Sequence, residues 1–457
     1  MVIPFHYTPT HNRNFQVAQR VLGATIAIPV AIFIRMSDIK YRLVSLLHSS
    51  ERYIKLDMVY LTKGGFWMTF GQAASSVIAL LLTIAFANFL PKETFGIYRY
   101  ILSLAGVLNV FALTGMNSAV ARAVATGHEG ALRTSVRYQF KWNLVMLAAF
   151  WALAGYYLIQ GDSLFATSFL LLGIGVPSTL ALNTYGAYLE GKKEFKLANI
   201  SSVISSLVYA AGMLAAILWS GEVFWLVTAY AVTTFVSTLF FYIVTLRIFK
   251  PPITDAGETL TYGRELTFIG FIEPLTSQID KIILAHFWGP AQLATYSLAM
   301  AVPGRLTSFI KTLVGLGSPK FATKTYKEIN AVFYKRIFLS MGLGAVTAVV
   351  YIVVSPYLFM YLLPQYLDGV FYSQILATSL LFAMPNRFVS LLLVSQKLSR
   401  AIFATNITQG VLKIVLYVVL GVWGGIMGLV IAFIALSSVG LLINIFIWRT
   451  NSRTALA

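Results

Sequence analysis

Long apolar stretches separated by short polar ones dominate the chain from residue 64 onward. A helix needs about 20 mostly apolar residues to cross the hydrocarbon core of a bilayer. Twelve segments meet this condition: 64–89, 97–121, 139–160, 163–189, 197–219, 223–247, 264–288, 290–317, 334–355, 369–394, 401–422 and 425–448. The pattern therefore predicts an all-α integral membrane protein of about twelve transmembrane helices.

The first 62 residues have a different pattern. An apolar run at 21–34 lies between Arg20 and Arg35, and as a helix it is only about 21 Å long. We favour an interfacial or half-inserted segment there, and a full crossing stays open. Residues 38–62 are amphipathic and basic, which is typical of a helix on an anionic inner leaflet. Residues 1–62 are therefore predicted to form a cytoplasmic and interfacial segment.

The twelve segments form two related sets of six. The stretch LPKETFGIYRYILSL at 90–104 aligns with WGPAQLATYSLAMAV at 288–302, which places Tyr98 on Tyr296. An even number of spans in each half gives the halves the same orientation, so an axis along the membrane normal relates them. We predict two six-helix parallel-repeat bundles, 63–248 and 263–450, around a central cleft. A cytoplasmic linker at 249–262 joins them, and 451–457 is a cytoplasmic tail.

Composition and charge agree with this topology. Hydrophobic residues make up 58% of the chain and charged residues 11%, so most of the chain belongs in lipid. The formal net charge is +18, but the basic residues cluster in alternate loops, and the remaining loops hold a single base, Lys92. Basic loops lie on the cytoplasmic side. The sequence therefore predicts a multi-pass protein of the cytoplasmic (inner) membrane with both termini inside and no nucleic-acid partner.

Charged residues inside the spans are the candidate functional groups, because each costs about 2.5–3.5 kcal/mol on insertion scales. Arg99 lies near the predicted outer surface, where we expect its side chain to reach the headgroups. The deeper charges all lie in the second half, and bases outnumber acids among them. They are Glu273, Asp280, Lys281, Arg305, Lys311, Arg387 and Lys413.

Two of the segments carry polar stripes at helical spacing. On a continuous helix Glu273, Ser277, Asp280 and Lys281 would share one broad face, and adjacent Asp280 and Lys281 would both meet water in the cleft. Span 11 carries a similar stripe with amides and a base, followed by Tyr417; it comprises Asn406, Gln409 and Lys413.

Two interpretations of these charges stay open. Asp280 could pair with Arg305, Arg387 or Lys413 and merely hold helices together, since buried charges are usually paired. The other interpretation is a hydrated cationic cavity that binds an anionic headgroup, with arginine able to bind phosphate in a bidentate way. In that case the bases and the amides bind substrate, while Asp280 and Glu273 serve coupling or gating.

Three stretches resemble the polysaccharide flippases of the multidrug/oligosaccharidyl-lipid/polysaccharide exporter (MOP) superfamily. They are LPKETFGIYRYILSLAGVLNVFALTGMNSAVAR, YLEGKKEFKLANI and IDKIILAHFWGPAQLATYSLA. With the two six-span halves, the resemblance covers roughly residues 58–450. It implies a secondary transporter that flips polyprenyl-pyrophosphate-linked oligosaccharides by alternating access for cell-surface polysaccharide biosynthesis. The partners implied are that substrate, membrane lipids and polysaccharide assembly proteins.

The alternatives are a lipid II or drug exporter of the same superfamily and a membrane-embedded polysaccharide polymerase or ligase. The drug-exporting branch usually carries an acid in span 1, and this chain has none there. The predicted outer loops are too short for a catalytic site, so we expect no enzyme activity. No nucleotide-binding loop or His/Cys cluster is present. We therefore predict no cofactor and no metal, with energy supplied by an H⁺ or Na⁺ gradient or by the membrane potential.

Overall fold

The computed structural model describes residues 58–253, 256–315, 321, 326–396 and 398–456, and the regular structure in these ranges is helical. Two short 3₁₀ helices, Asn109–Phe111 and Pro364–Tyr366, interrupt the α-helices. In chain order the α-helices are α1 Met58–Phe89, α2 Lys92–Leu108, α3 Met116–Ala125, α4 Ala131–Ile159, α5 Ser163–Leu182, α6 Thr184–Gly191, α7 Phe195–Trp219, α8 Val223–Phe249, α9 Gly257–Gly270, α10 Ile272–Ser277, α11 Ile279–Trp288, α12 Pro290–Gly315, α13 Tyr326–Leu362, α14 Gly369–Ala377, α15 Leu380–Ser395 and α16 Ser399–Leu456.

The all-α membrane fold is confirmed, but the count of twelve spans is not. In the described residues, eight helices are long and apolar enough to cross a membrane, or nine when the bent pair α14 and α15 is one span. One of the eight, Ala401–Ser452, contains two of the predicted segments. The predicted continuous helix at 264–288 is wrong, because the chain there forms α9, α10 and α11. The predictions for residues 21–34 and 38–57 lie outside the described residues.

A glycine marks the bend within α16. Gly425 has φ 55° and ψ −135°, a conformation that a residue with a Cβ rarely adopts. The Trp288 ring lies against this glycine, and its Nε1 donates to the carbonyl oxygens of Gly421 and Val422 at 3.1 and 3.2 Å. Spans 11 and 12 of the sequence pattern therefore meet at Gly425, as their boundary predicted.

Contacts divide the chain into two units, Met1–Phe66 and Trp67–Ala457. Both halves of the repeat lie within the second unit, and the predicted domain boundaries stay predictions. In the first half α4 packs on α5, α5 on α8 and α7 on α8; in the second half α13 packs on α15, and α15 and α11 pack on α16. Each half is built around buried clusters of Leu, Ile, Val, Phe and Tyr side chains.

The halves meet along one seam. From the first half α2 packs against α10, α11 and α12, and α3 packs against α9. The Gly115 N–H donates to Thr267 Oγ1 at 3.0 Å in the α3–α9 contact. The broken helix therefore runs along the boundary between the halves, which is where a transport pathway would lie.

A polar pair joins the loop before α4 to the end of α6. Lys192 Nζ donates to Glu129 Oε1, and the Tyr188 hydroxyl donates to Glu129 Oε2 at 3.0 Å. The lysine's hydrogen bond lowers the pKa of the Glu129 carboxyl, and the tyrosine's hydrogen bond adds to that effect against partial desolvation. The carboxylate is therefore stabilised in its ionised form at the surface of the first half.

Candidate functional site

The second half encloses a cavity of 440 Å³ between α15 and the two arms of α16. Four of the residues predicted to bind substrate lie on its wall: Arg387, Asn406, Gln409 and Lys413. Asn406, Gln409 and Lys413 share one side of α16 because that helix is continuous over the three positions. The cavity therefore combines two bases with several amides.

The amides on this wall bond to one another. Asn444 Nδ2 donates to Asn386 Oδ1 and, at 3.2 Å, to Ser390 Oγ, while Gln409 Nε2 donates to the Gly440 carbonyl at 3.3 Å. These bonds use both hydrogens of the Asn444 amide, but they leave the second hydrogen of the Gln409 amide, the hydrogens of the Asn386 amide and oxygen lone pairs for a ligand. The arrangement fixes the rotamers of the polar wall and suits a ligand that has many hydroxyl groups.

The bases on this wall have no carboxylate partner among the residues that the structure describes. Within the described chain, neither Arg387 nor Lys413 forms a salt bridge. Lys413 Nζ lies 5.5 Å from the centre of the Tyr417 ring, and it interacts electrostatically with Asp280 and Glu273. The cavity is therefore positively charged where α15 and α16 face each other.

Asp280 is buried, with 6% of its surface exposed, and its hydrogen-bond partner is a tyrosine. The Tyr296 hydroxyl donates to Asp280 Oδ2 at 2.8 Å, and Oδ1 accepts no hydrogen bond within the described residues. The sequence analysis considered pairing with Arg305, Arg387 or Lys413. In the structure the nearby bases act on Asp280 only through the electric field.

The shared face predicted for span 7 is wrong, because the helix breaks at Phe271 and again at Gln278. Glu273 and Ser277 line a second cavity of 440 Å³ between the halves, together with Gln278. Asp280 instead lies at the first turn of α11, where the positive end of a helix favours a carboxylate.

Lys281, the neighbour of Asp280, points another way. Its Nζ donates to Gln278 Oε1 at 2.6 Å, and it interacts electrostatically with Asp280, Arg99 and Lys413. The two adjacent charges thus occupy separate sites at one helix break. Broken helices place backbone groups where a cavity must satisfy them, which is why they accompany transport sites.

Arg99 is a further functional candidate, because its side chain lies near charges of the second half. It interacts electrostatically with Lys281 and Arg305, which belong to the second half, and with the tyrosines Tyr209 and Tyr230. Its Nε is buried and forms no hydrogen bond among the described residues. Arg99 therefore faces the boundary between the halves, and its expected position near the outer surface stays a prediction.

Arg305 and Lys311 complete the predicted set. Arg305 is exposed and is not part of the wall of the second-half cavity; its charge lies near Arg99 and Tyr209 of the first half. The backbone of Lys311 lies in α12, but its side chain lies outside the described part of the chain. Two arginines, one from each half, thus approach the seam without an intervening carboxylate in the described residues.

The repeat reveals what distinguishes the halves. Tyr98, the first-half equivalent of Tyr296, is also fully buried, but its hydroxyl lies 3.2 Å from the Tyr209 hydroxyl. The position that matches Asp280 at the same offset is Leu82, which belongs to the apolar core. The buried carboxylate is therefore an addition to a tyrosine framework that both halves share.

One end of the seam is closed by contacts between the halves; we refer to it as the Lys92 end. Lys92 Nζ lies 3.2 Å from Asp368 Oδ1 and 4.9 Å from the centre of the Tyr366 ring. Asn88 Nδ2 donates to the Leu362 carbonyl at 2.8 Å. Polar contacts therefore join the two halves at this end of the described structure.

The structure contains no obvious metal centre in the ranges it describes, since no three His, Cys, Asp or Glu side chains group together there. The chemistry that the site offers is charge-assisted hydrogen bonding by arginine and lysine, with amides and hydroxyls beside them. That combination suits an anionic, hydroxyl-rich ligand.

Comparison with known proteins points to transporters. The sequence model of a family of polysaccharide biosynthesis proteins matches residues 61–305. A protein of Shigella flexneri that is assigned as an O-antigen transporter is 26% identical over 310 residues, covering 61% of this chain and 70% of that protein.

Solved structures of transporters share the fold. A MOP superfamily transporter from Pyrococcus furiosus is 15% identical with a TM-score of 0.59, and the match covers 87% of this chain and 96% of that chain. A eukaryotic MATE transporter is 14% identical with a TM-score of 0.59, and it covers 87% of this chain and 98% of that chain. The matched relatives are transporters and not enzymes.

Proposed function

The chain belongs to the polysaccharide biosynthesis protein family, whose model matches more than half of it, and from this we propose that it flips lipid-linked oligosaccharides across a membrane. The observation that carries the proposal is the cavity wall that holds Arg387 and Lys413 without a carboxylate partner in the described residues. Two bases that form no salt bridge in the described residues, beside amides, suit a pyrophosphate joined to a glycan. The assignment of the Shigella flexneri relative agrees with this substrate class.

Different residues of the site are proposed to bind different chemical groups of the substrate. Arg387 and Lys413 supply charge-assisted hydrogen bonds to phosphate oxygens, while Asn406 and Gln409 bind hydroxyl groups. Arg305 and Arg99 offer further positive charge at the seam, one from each half. The phosphate oxygens would then exchange water for fixed donors, which lowers the cost of bringing a charged headgroup to this depth.

Alternating access is the mechanism that we propose for the movement. The Lys92 end holds the halves together through the Lys92–Asp368 ion pair and the Asn88–Leu362 hydrogen bond. Movement of the headgroup to the other leaflet would require these contacts to part. We further propose that an H⁺ or Na⁺ gradient or the membrane potential drives the cycle.

The test is glycan export in a strain that lacks its own flippase, with the amount of protein in the membrane measured in parallel. Arg387→Gln and Lys413→Gln should each lower export about tenfold or more, because a hydrogen bond to a charged group contributes about 1.5–3 kcal/mol. Lys141→Gln, which changes an exposed lysine outside the cavity, is the matched control and should export normally. Normal export by both cavity variants would refute the proposal.

Asp280 is proposed to act in coupling or gating. Asp280→Asn should fold, because an amide oxygen can still accept from the Tyr296 hydroxyl, but it should export poorly since the surrounding bases lose their counter-charge. Asp280→Glu should retain part of the activity. Full export by Asp280→Asn at normal protein levels would show that the charge is dispensable.

We also propose that the Lys92 end faces the outside of the cytoplasmic membrane and that both termini lie inside. The chain has no cysteine, so a single introduced cysteine reports its own accessibility. Thr94→Cys should react with an impermeant thiol reagent added to intact cells, and Lys193→Cys should react only after the membrane is opened. The reverse pattern would overturn the orientation.

A further inference from the structure

The first half contains a second large cavity, to which the proposed function assigns no role. It has a volume of 810 Å³ and lies among α3, α5, α6, α7 and α8. Its wall is made largely of serine, threonine, asparagine and tyrosine side chains, and it includes no lysine or arginine. Both walls are rich in hydroxyl and amide side chains, but the wall around Arg387 and Lys413 carries two bases and this one carries none. The two cavities use corresponding spans of the repeat.

Part of this wall is available for hydrogen bonding. The hydroxyls of Thr234 and Ser237 donate to carbonyl oxygens four residues earlier in α8, as is usual in helices. Thr179 Oγ1 and Asn117 Oδ1 have no hydrogen-bond partner within the described chain. Polar atoms that are shielded from water and unpaired are costly, so these two side chains would gain from a ligand whose binding turns them toward the cavity.

The cavity adjoins the positive charges at the seam. Tyr209 lies on its wall, and the same tyrosine interacts electrostatically with Arg99 and Arg305. A phosphate held by those arginines would therefore lie beside the mouth of this cavity. The group attached to that phosphate would be the one that enters it.

We propose that the first-half cavity is the glycan subsite, which binds uncharged sugars next to the pyrophosphate. This inference rests on the proposed function. Sugar hydroxyls both donate and accept, as serine, threonine and asparagine side chains do, while Tyr185 and Tyr209 offer apolar ring faces for the sugar C–H groups. The first-half cavity would thus add sugar contacts to those of Asn406 and Gln409 in the second half.

The charge of the wall sets the preference for neutral sugars. Apart from tyrosines, Glu190 is the ionisable residue of this wall. A uronic acid would find no basic partner there and would be repelled by the Glu190 carboxylate. An N-acetylated hexose carries no charge and adds an amide that can pair with asparagine.

The experiment compares binding of two probes to purified protein in lipid nanodiscs: polyprenyl pyrophosphate without sugar, and the same lipid carrying one N-acetylhexosamine. The wild type should bind the sugar-bearing lipid at least fivefold more tightly. The double variant Asn117→Leu with Thr179→Val removes two unpaired polar groups at similar volume and should abolish this preference. The matched control, Ser135→Ala with Ser168→Ala, removes two buried and unpartnered hydroxyls outside the cavity wall and should keep it.

The outcomes separate the two proposals. Loss of preference in the double variant alone, with unchanged binding of the sugar-free lipid, supports the glycan subsite. A preference that survives in the double variant, or that is absent from the wild type, overturns the subsite while leaving lipid pyrophosphate binding intact. Failure of the wild type to bind either lipid overturns the proposed function itself.

A third probe tests the neutral-sugar preference. The wild type should bind the N-acetylhexosamine lipid at least threefold more tightly than a lipid that carries a hexuronic acid. Glu190→Gln should narrow that ratio, because it removes the repelling charge. Equal binding of the two lipids by the wild type would overturn the neutral-sugar preference.

Discussion

The hydrogen bond between Tyr296 and Asp280 makes a quantitative prediction. Tyr296→Phe removes a 2.8 Å bond to a carboxylate that is 6% exposed and has no other hydrogen bond in the described chain. A hydrogen bond to a charged group contributes about 1.5–3 kcal/mol, and the buried carboxylate left behind places the cost near the upper end. We therefore expect the free energy of unfolding to fall by about 3 kcal/mol.

The repeat supplies a matched control. Tyr98→Phe removes the same atom at the equivalent position of the first half, but there the partner is the neutral Tyr209 hydroxyl at 3.2 Å. A neutral hydrogen bond contributes about 0.5–1.5 kcal/mol. The two substitutions should therefore differ by about 1.5–2.5 kcal/mol, although both remove one hydroxyl from a fully buried tyrosine.

The assay is equilibrium unfolding of the purified protein in detergent, read by circular dichroism for each variant at the same pH. A second pair of measurements places Tyr296→Phe in an Asp280→Asn background, where its cost should fall to about 1 kcal/mol because the partner is no longer charged. Equal costs for Tyr296→Phe and Tyr98→Phe would refute the charge argument. So would an unchanged cost in the Asp280→Asn background.

Three further predictions concern the seam and the surface. Lys92→Glu should weaken closure of the Lys92 end and raise the labelling of an introduced cysteine there at least threefold, and adding Asp368→Lys should restore the wild-type level. Gly96→Leu should prevent this end from closing, because even a Cβ at Gly96 would overlap the Pro290 carbonyl; a disulfide cross-link designed across the end should then fail to form. Glu129→Gln should lower the unfolding midpoint at pH 7 but not at acid pH, because the pKa of Glu129 is lowered in the folded state. The stabilisation that Glu129 provides is therefore present above its unfolded-state pKa of about 4.3 and is lost as the pH falls through its folded-state pKa. A difference in unfolding midpoint between wild type and variant that persists at pH 3 would contradict this.

The apolar pattern predicted the fold class because membrane helices leave a direct signal in sequence. It did not place the breaks at Phe271 and Gln278. The first break had a sequence signal that was not used, because Pro274 cannot donate to the carbonyl of Gly270 and so interrupts a helix there. Gln278 carries no such signal. This difference explains which of the predicted residues the structure brings together. Asn406, Gln409 and Lys413 share a cavity wall because α16 is continuous there, whereas Glu273 and Asp280 do not share a face because their helix is interrupted.

The surroundings of Arg99 and Tyr296 could not be predicted from the sequence of a single helix, because they depend on how helices pack together. Arg99 was placed by its distance from the end of its span, but the helix begins at Lys92 and carries Arg99 inward to the seam. The alignment of Tyr98 with Tyr296 held a signal, since a tyrosine repeated at one position in two halves suggests a shared structural role. The alignment could not identify Asp280 as the hydrogen-bond partner of Tyr296, because the first half has no acid at the position equivalent to Asp280.

The broken helix changes where the molecule would bend. By sequence repeat α9 belongs to the second half, yet it packs against α3 of the first half, while α11 packs against α16 of the second half. The chain therefore passes through Ile272–Ser277 between these two contacts, and this segment lies after the predicted linker at 249–262. If α9 stayed with α3, a rotation of one half against the other would bend the chain at this six-residue joint. Glu273 lies on the joint and Asp280 lies just beyond it, so any rotation of the halves would also redistribute the charges that face the substrate.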